Sequence, residues 1–227
     1  MSRSHLPADS TALAIRKLLQ AIFLIMSPND HLVSFQKKVR KTRFLLARQI
    51  KLTTEQKVPK TELEAIYELF FMNVFVAFEN DLTELLKTNL LMKHGGDGKL
   101  RSLYNPNSRP AAEKLLLGTN RYFQLLPVEQ MEKVARVYLK NGGPFVTLTS
   151  SQKNELGKAA AIRNHIAHKS AESKKTYKKK ILSHVILPKS SFSPGYYLKS
   201  NLSHHRTYFD HHVAEIGSCL RDIVSNS

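Results

Sequence analysis

An all-α helical bundle is the fold class this sequence predicts, and three observations carry the prediction. Apolar residues recur at helical spacing along most of the chain, while period-two alternation is scarce. Cap residues and Gly/Pro stops punctuate the periodic stretches. One stretch, Leu69 to Phe78, is apolar on nearly every side, the mark of a helix at the centre of a bundle or at a subunit interface.

A first helix is expected over about Asp9 to Met26, capped by Asp9 or Ser10. Its Leu18–Met26 portion follows Arg16 and Lys17 and mimics a signal-peptide core. It is short, and Ser27-Pro28-Asn29-Asp30 offers no small-x-small cleavage site, so it reads as a packed helix. A second helix covers about His31 to Leu52. Lys37, Lys38, Arg40, Lys41, Arg43, Arg48 and Lys51 give it a cationic surface opposite Leu32, Phe35, Val39 and Leu46. Pro59 ends a linker, and Thr61 caps a third helix reaching about Met92. Along it Glu68, Met72, Phe75, Glu79, Leu82 and Leu86 form one i, i+3/i+4 stripe. Glu79 is thus a carboxylate among apolar neighbours, which needs a cation or hydrogen-bond donors if buried. No run reaches the roughly 18 apolar residues that span a bilayer.

His94 to Lys99 reads as a flexible loop, because its glycines lack the full GxxxxGK[ST] pattern and no strand precedes them. The loop region continues through Pro106 to Pro110. Helices are expected over about Ala111 to Leu126 and Pro127 to Lys140, and Asn141-Gly142-Gly143-Pro144 stops the second. Ser150 or Ser151 caps the next helix, whose Ala159-Ala160-Ala161 lets a neighbouring helix approach closely. After His168 comes a cationic segment, Lys169, Lys174, Lys175, Lys178, Lys179 and Lys180 against Glu172. Ser191 to Tyr197 reads as an exposed loop, and a last amphipathic helix spans about His204 to Val224.

Composition narrows the function classes. In 227 residues, 35 Lys and Arg face 18 Asp and Glu, a net charge of +17. Such an excess repels itself unless a polyanion or local carboxylates offset it. Nucleic acid is the first candidate partner, an acidic protein the second and an anionic membrane the third. With 42% hydrophobic residues the chain can bury a proper core. Its one cysteine, Cys219, excludes an intrachain disulfide, fits a reducing cytosolic setting and reads as a small buried residue.

The chemistry concentrates in Arg163-Asn164-His165-Ile166-Ala167-His168. RNA carries a 2′-hydroxyl whose attack on the adjacent phosphorus breaks the backbone and leaves a cyclic phosphate. The step needs a base, an acid and positive charge on the phosphorane. His168 suits proton transfer near neutral pH, and Arg163 suits the phosphorane with bidentate geometry unavailable to lysine. Asn164 lies four residues before His168, on the same helix face, where its amide suits orienting the imidazole or a phosphate oxygen. One histidine supplies half of the proton transfers, and His165 or a twofold-related His168 could supply the other half. Arg163 and His168 point about 140° apart around a regular helix. They converge only where the helix ends or unwinds, or where two copies of the motif face each other.

Other residues receive plainer readings. His204, His205, His211 and His212, with Asp210, form a dense group in which residues seven apart would share helix faces. A metal site is conceivable there. Without a second anchoring pair such as CxxC, the group reads instead as solvated or phosphate-facing, and no metal or cofactor is assigned. His184 lies in a short apolar run and reads as packed. Tyr177, Tyr196, Tyr197 and Tyr208 read as packing residues, with base stacking as the alternative.

The segment Ala160 to His168 resembles the signature of the HEPN superfamily: Arg, a polar residue that is often Asn, and His after four to six intervening residues, matched here by Arg163, Asn164 and His168. The Ile-Ala-His ending is typical of members with this motif. Phe75 to Leu86 (FVAFENDLTELL) resembles the early core helix of the branch associated with L-PSP-type RNases. The likeness spans about residues 61–224; the basic second helix and the stretch from Gly95 to Gly143 have no counterpart. It implies an N-terminal part, residues 1–60, with a basic face, and a HEPN-like helical domain, residues 61–227, with inserted helices at about 95–145. It further implies a homodimer whose paired motifs share one cleft, metal-independent endoribonuclease activity, a toxin or phage-defence setting and cytoplasmic location. On this reading Arg163, Asn164 and His168 are catalytic, Glu79 and His165 support them, and the lysines from Lys169 to Lys180 hold RNA. An acidic antitoxin or sensor protein is a further expected partner. The rival readings are a non-catalytic RNA-binding or scaffold module and a basic helical DNA-binding protein.

Overall fold

The computed structural model describes residues 26–55, 59, 62–94, 100–118, 125–185 and 193–227. The expected first helix, the His94–Lys99 loop beyond His94 and the side chain of His184 lie outside the described residues. What is described is an all-α bundle with one minimal β-hairpin.

Helix α1 spans Pro28–Thr54. It starts earlier than its apolar period suggests because Ser27 and Asp30 cap each other. Ser27 Oγ accepts from the Asp30 amide, and the Asp30 carboxylate accepts from the Ser27 amide at 2.7 Å. Pro28 stands where a missing N–H costs nothing. Helix α2, Glu62–Leu91, runs through the centre and packs against α1 and the later helices. Phe71, Phe75, Phe78, Leu82, Leu85, Leu86 and Leu90 on α2 are buried in one core with Leu32, Phe35 and Leu46 of α1. Phe35 meets Phe78 edge to face, their centroids 6.2 Å apart. α2 is not covered on every side, however: Leu69 is 59% and Val76 40% exposed.

Helix α3, Arg109–Leu117, ends at Gly118, well before the expected Leu126. Helix α4, Val128–Tyr138, adds Met131, Val134 and Ala135 to the same core. The stop after α4 is a tight 3₁₀ turn, Lys140–Val146, in which Asn141 (φ 56°) and Gly142 (φ 80°) take left-handed backbone. A Cβ on Gly142 would stand 2.5 Å from Val146 Cγ1.

Helix α5, Ser150–His168, carries the motif. Thr149, one residue ahead of the expected serines, caps it through a reciprocal bond with Gln152. The cationic segment that follows is a helix, α6, Ala171–Lys180. Two expectations are corrected near the C-terminus. Ser193–Tyr197 is not an exposed loop: α7, Pro194–Lys199, buries Pro194, Gly195, Tyr197 and Leu198 against α2. Gly195 is the contact point, since a Cβ there would fall 2.3 Å from the Glu64 carbonyl oxygen. The last helix does not begin at His204. His204 and His205 join strands β1 (Asn201–Ser203) and β2 (Arg206–Thr207), and Thr207 caps α8, Tyr208–Ser225. Cys219 is fully buried on α8, and burial pushes its thiol up to about 12. Among the described residues, no helix is long and apolar enough to cross a membrane.

Candidate functional site

Helix α5 stays regular through His168. Lys169 then takes left-handed backbone (φ 49°), its N–H donating to the His165 carbonyl at 3.1 Å, and Ser170 caps α6 at once. A sharp corner between two helices therefore follows the motif directly.

Arg163 lies on the inner side of α5, against α2. Its Nη2 donates to Glu79 Oε2 at 3.2 Å and its Nη1 to Asn164 Oδ1 at 3.0 Å, while its buried Nε–H has no partner. The Glu79 carboxylate thus has the cation that its apolar stripe demands. Burial still outweighs the Arg163 charge and lifts its pKa above the ordinary carboxylate value. Asn164 and His168 are exposed, His168 in the final turn. Because α5 does not unwind before its end, the roughly 140° offset between Arg163 and His168 persists within one chain.

His165 is a packing residue. Its Nδ1 lies 3.2 Å from Ser173 Oγ and its ring stacks on Tyr177 at 5.1 Å, clamping α6 to α5. Burial, with help from the Lys174 charge, lowers its pKa, so it is held neutral. The fold therefore brings Glu79, Arg163 and Asn164 together, leaves His168 free at the corner and spends His165 on the corner itself.

A cleft of about 390 Å³ opens beside the motif. Glu79 and Asn164 stand on its wall, Phe75, Ala160 and Ala161 form its apolar lining, and Lys153 and Lys180 flank it. The missing side chain at Gly157 makes room for Lys180, whose Nζ lies 3.3 Å from where a Cβ would stand. On α6 the helical spacing gathers Lys174, Lys175, Lys178 and Lys179 on one outward face, with Ser173 and Tyr177 buried on the other. Among the described residues, Lys169, Lys174, Lys175, Lys178, Lys179 and Lys180 form no ion pair. The cationic face of α1 is partly neutralised: Lys38 pairs with Asp81 at 3.1 Å and Arg43 with Asp210 at 3.4 Å.

The tyrosines mostly pack, as expected. Tyr177 and Tyr197 are buried, and Tyr208 stacks on Tyr197 at 4.4 Å. The histidine group divides. His204 and His205 are exposed, but His211 and His212 turn inward against Glu155 of α5, a carboxylate that sequence spacing did not connect with them.

Comparison of the chain with protein-family models, with curated proteins and with solved structures finds no match.

Proposed function

We propose that this protein is a metal-independent endoribonuclease that cleaves RNA by attack of the 2′-hydroxyl, working as a homodimer. The observation that supports it best is the seating of Arg163 between Glu79 and Asn164, which both wall one cleft, directly before an unpaired lysine face. A guanidinium has five N–H donors. Glu79 and Asn164 engage one N–H of each terminal nitrogen, the Nε–H is buried, and the second N–H on each of Nη1 and Nη2 is left to hold a scissile phosphate. Glu79 fixes the direction of the cation. Asn164 orients phosphate or imidazole, and His168 moves protons to and from the reacting oxygens. The α6 lysines hold flanking RNA through its phosphates.

The offset between Arg163 and His168 favours a site built from two copies. Leu69 and Val76 stand exposed on α2, the helix that presents Glu79, with Asn73 exposed between them. In a twofold dimer with a shared cleft, the partner's His168 would supply the missing acid–base partner. The wider setting we infer is a toxin or phage-defence effector in the cytoplasm, with its +17 charge suited to RNA and to an acidic antitoxin or sensor.

Purified protein incubated with total cellular RNA in EDTA tests the reading. Cutting by the wild type, lost in Arg163→Ala and in His168→Ala, is the expected result. Salt-dependent binding of RNA and duplex DNA without cutting would replace it with one of the non-catalytic readings. The unpaired lysines of α6 favour binding in either case.

A further inference from the structure

The inward-turned histidines are remote from the chemistry proposed above, and no step of that chemistry uses them. Glu155 stands in the second turn of α5, eight residues before Arg163. At about 1.5 Å per residue that separates them by about 12 Å along the axis. His211 and His212 come from the first turns of α8. One ligand atom from each of these three residues falls within 4.8 Å of the others. Glu155 Oε2 is 3.2 Å from His211 Nε2 and 3.9 Å from His212 Nδ1. The three line a pocket of about 200 Å³ with Lys158, Tyr197 and Tyr208.

Two details distinguish this group from a satisfied buried pair. His212 is only 1% exposed, yet its Nδ1 has no hydrogen-bond partner; neither has the buried Nδ1 of His211. Buried polar atoms without a partner are rare, and here two such ring nitrogens belong to residues that line one pocket. The other His212 nitrogen, Nε2, is 2.9 Å from the Tyr197 hydroxyl. With the proton on Nε2 and donated to that oxygen, Nδ1 presents its lone pair to Glu155. This is the outer support that fixes the tautomer of a metal-bound histidine.

We propose that Glu155, His211 and His212 form a binding site for a divalent transition-metal ion of the zinc type. Two imidazoles and a carboxylate are a zinc donor set, with a fourth position for water facing the pocket. Ligand atoms around such an ion lie about 3.3 Å apart, given bonds of about 2.0 Å. The His211–Glu155 distance already fits, the His212–Glu155 separation needs to contract by about half an ångström, and the two ring nitrogens, within 4.8 Å of each other, must close to the same spacing. Lys158 Nζ occupies only the other carboxylate oxygen, Oε1, at 2.6 Å, which leaves Oε2 for the ion. Its charge lowers the affinity without closing the site. The metal would tie α8 and, through Tyr197, α7 to the motif helix. Its role is structural and independent of RNA cleavage.

The test is titration of the full-length, metal-stripped protein with Co²⁺ and then Zn²⁺, followed by visible absorption and isothermal calorimetry. One Co²⁺ per chain, with a ligand-field band that Zn²⁺ abolishes, is expected. Tyr197→Phe should weaken binding about 10-fold, as loss of an outer partner does. His211→Ala and Glu155→Gln should weaken it further, with unchanged helical circular dichroism because both positions are partly exposed. His204→Ala/His205→Ala should bind like the wild type. No stoichiometric binding, or binding that survives both ligand substitutions or vanishes with His204 and His205, overturns the proposal. Neither outcome bears on cleavage in EDTA, so this site and the RNase reading stand or fall separately.

Discussion

The two ends of helix α5 show how one regular helix serves two environments. The inner face of its first half is dry: Glu155 faces a buried His212 that is held by Tyr197, and Leu156 and Ala159 are buried beside it, while Ser151 and Asn154 point outward. Its last turn is wet: Asn164, Ala167 and His168 are exposed, and the lysine face of α6 begins across the corner. Arg163 is the boundary, partly sheltered against α2 with its buried Nε–H unpaired. A low-dielectric pocket lined by two imidazoles and a carboxylate suits a small cation bound by direct coordination. An exposed histidine between a seated arginine and unpaired lysines suits a flexible polyanion, bound mostly through its phosphates.

That contrast breaks most cleanly at His168. His168→Ala should lower RNA cleavage by about 10²- to 10⁴-fold, the usual contribution of a general acid or base. It should leave stability within about 0.5 kcal/mol, because the side chain is exposed. Rates from gel-resolved cleavage and a urea melt of the same sample separate the two. Six residues earlier the balance reverses: Ile162 is fully buried, and Ile162→Ala should cost about 2–5 kcal/mol of stability in a urea melt.

A smaller effect sharpens the wet side. Lys174→Glu with Lys178→Glu should weaken RNA binding uniformly across sequences and flatten its dependence on salt. A plot of log affinity against log salt should lose roughly 0.7 per phosphate contact removed. An unchanged slope would assign the lysine face to another partner.

The smallest effect concerns Glu79. Burial raises its folded pKa even beside Arg163, so between about 4.5 and that raised value the folded state holds more protons than the unfolded one. Stability from this group is complete below about 4.5 and is lost as pH rises through the folded pKa. Glu79→Gln should remove that decline, which melting temperatures at stepped pH would reveal. An identical pH profile in both proteins would mean that the carboxylate is better solvated than its position on α2 implies.

The sequence exposed the bundle where local signals agreed. α1, α2 and α5 carry long apolar periods, α1 and α5 behind capping boxes, and the Arg163–Glu79 pair follows from a carboxylate placed on an apolar stripe. Boundaries slipped where one motif serves two readings. Ser27-Pro28-Asn29-Asp30 is both a non-cleavable signal end and a capping box, and Pro194-Gly195 is both a loop signal and a helix start pressed against Glu64. α6 was obscured by its polarity, since Ser173 and Tyr177, four apart, are nearly all of its buried face. The Glu155–His211–His212 group was beyond local inference. Glu155 precedes His211 by 56 residues and meets the two histidines only because α5 packs on α8.

The most direct test of the cleavage site is complementation between two inactive chains. Arg163→Ala and His168→Ala proteins, mixed after subunit exchange and given total RNA in EDTA, can form mixed dimers in which one cleft holds an intact Arg163 and the partner's His168. If the side chains meet across a twofold axis, cleavage should rise from the level of either variant alone to about a quarter of wild type, since half of randomly paired dimers are mixed and each has one whole site. A mixture no more active than its components, beside an active wild type, would contradict the shared cleft.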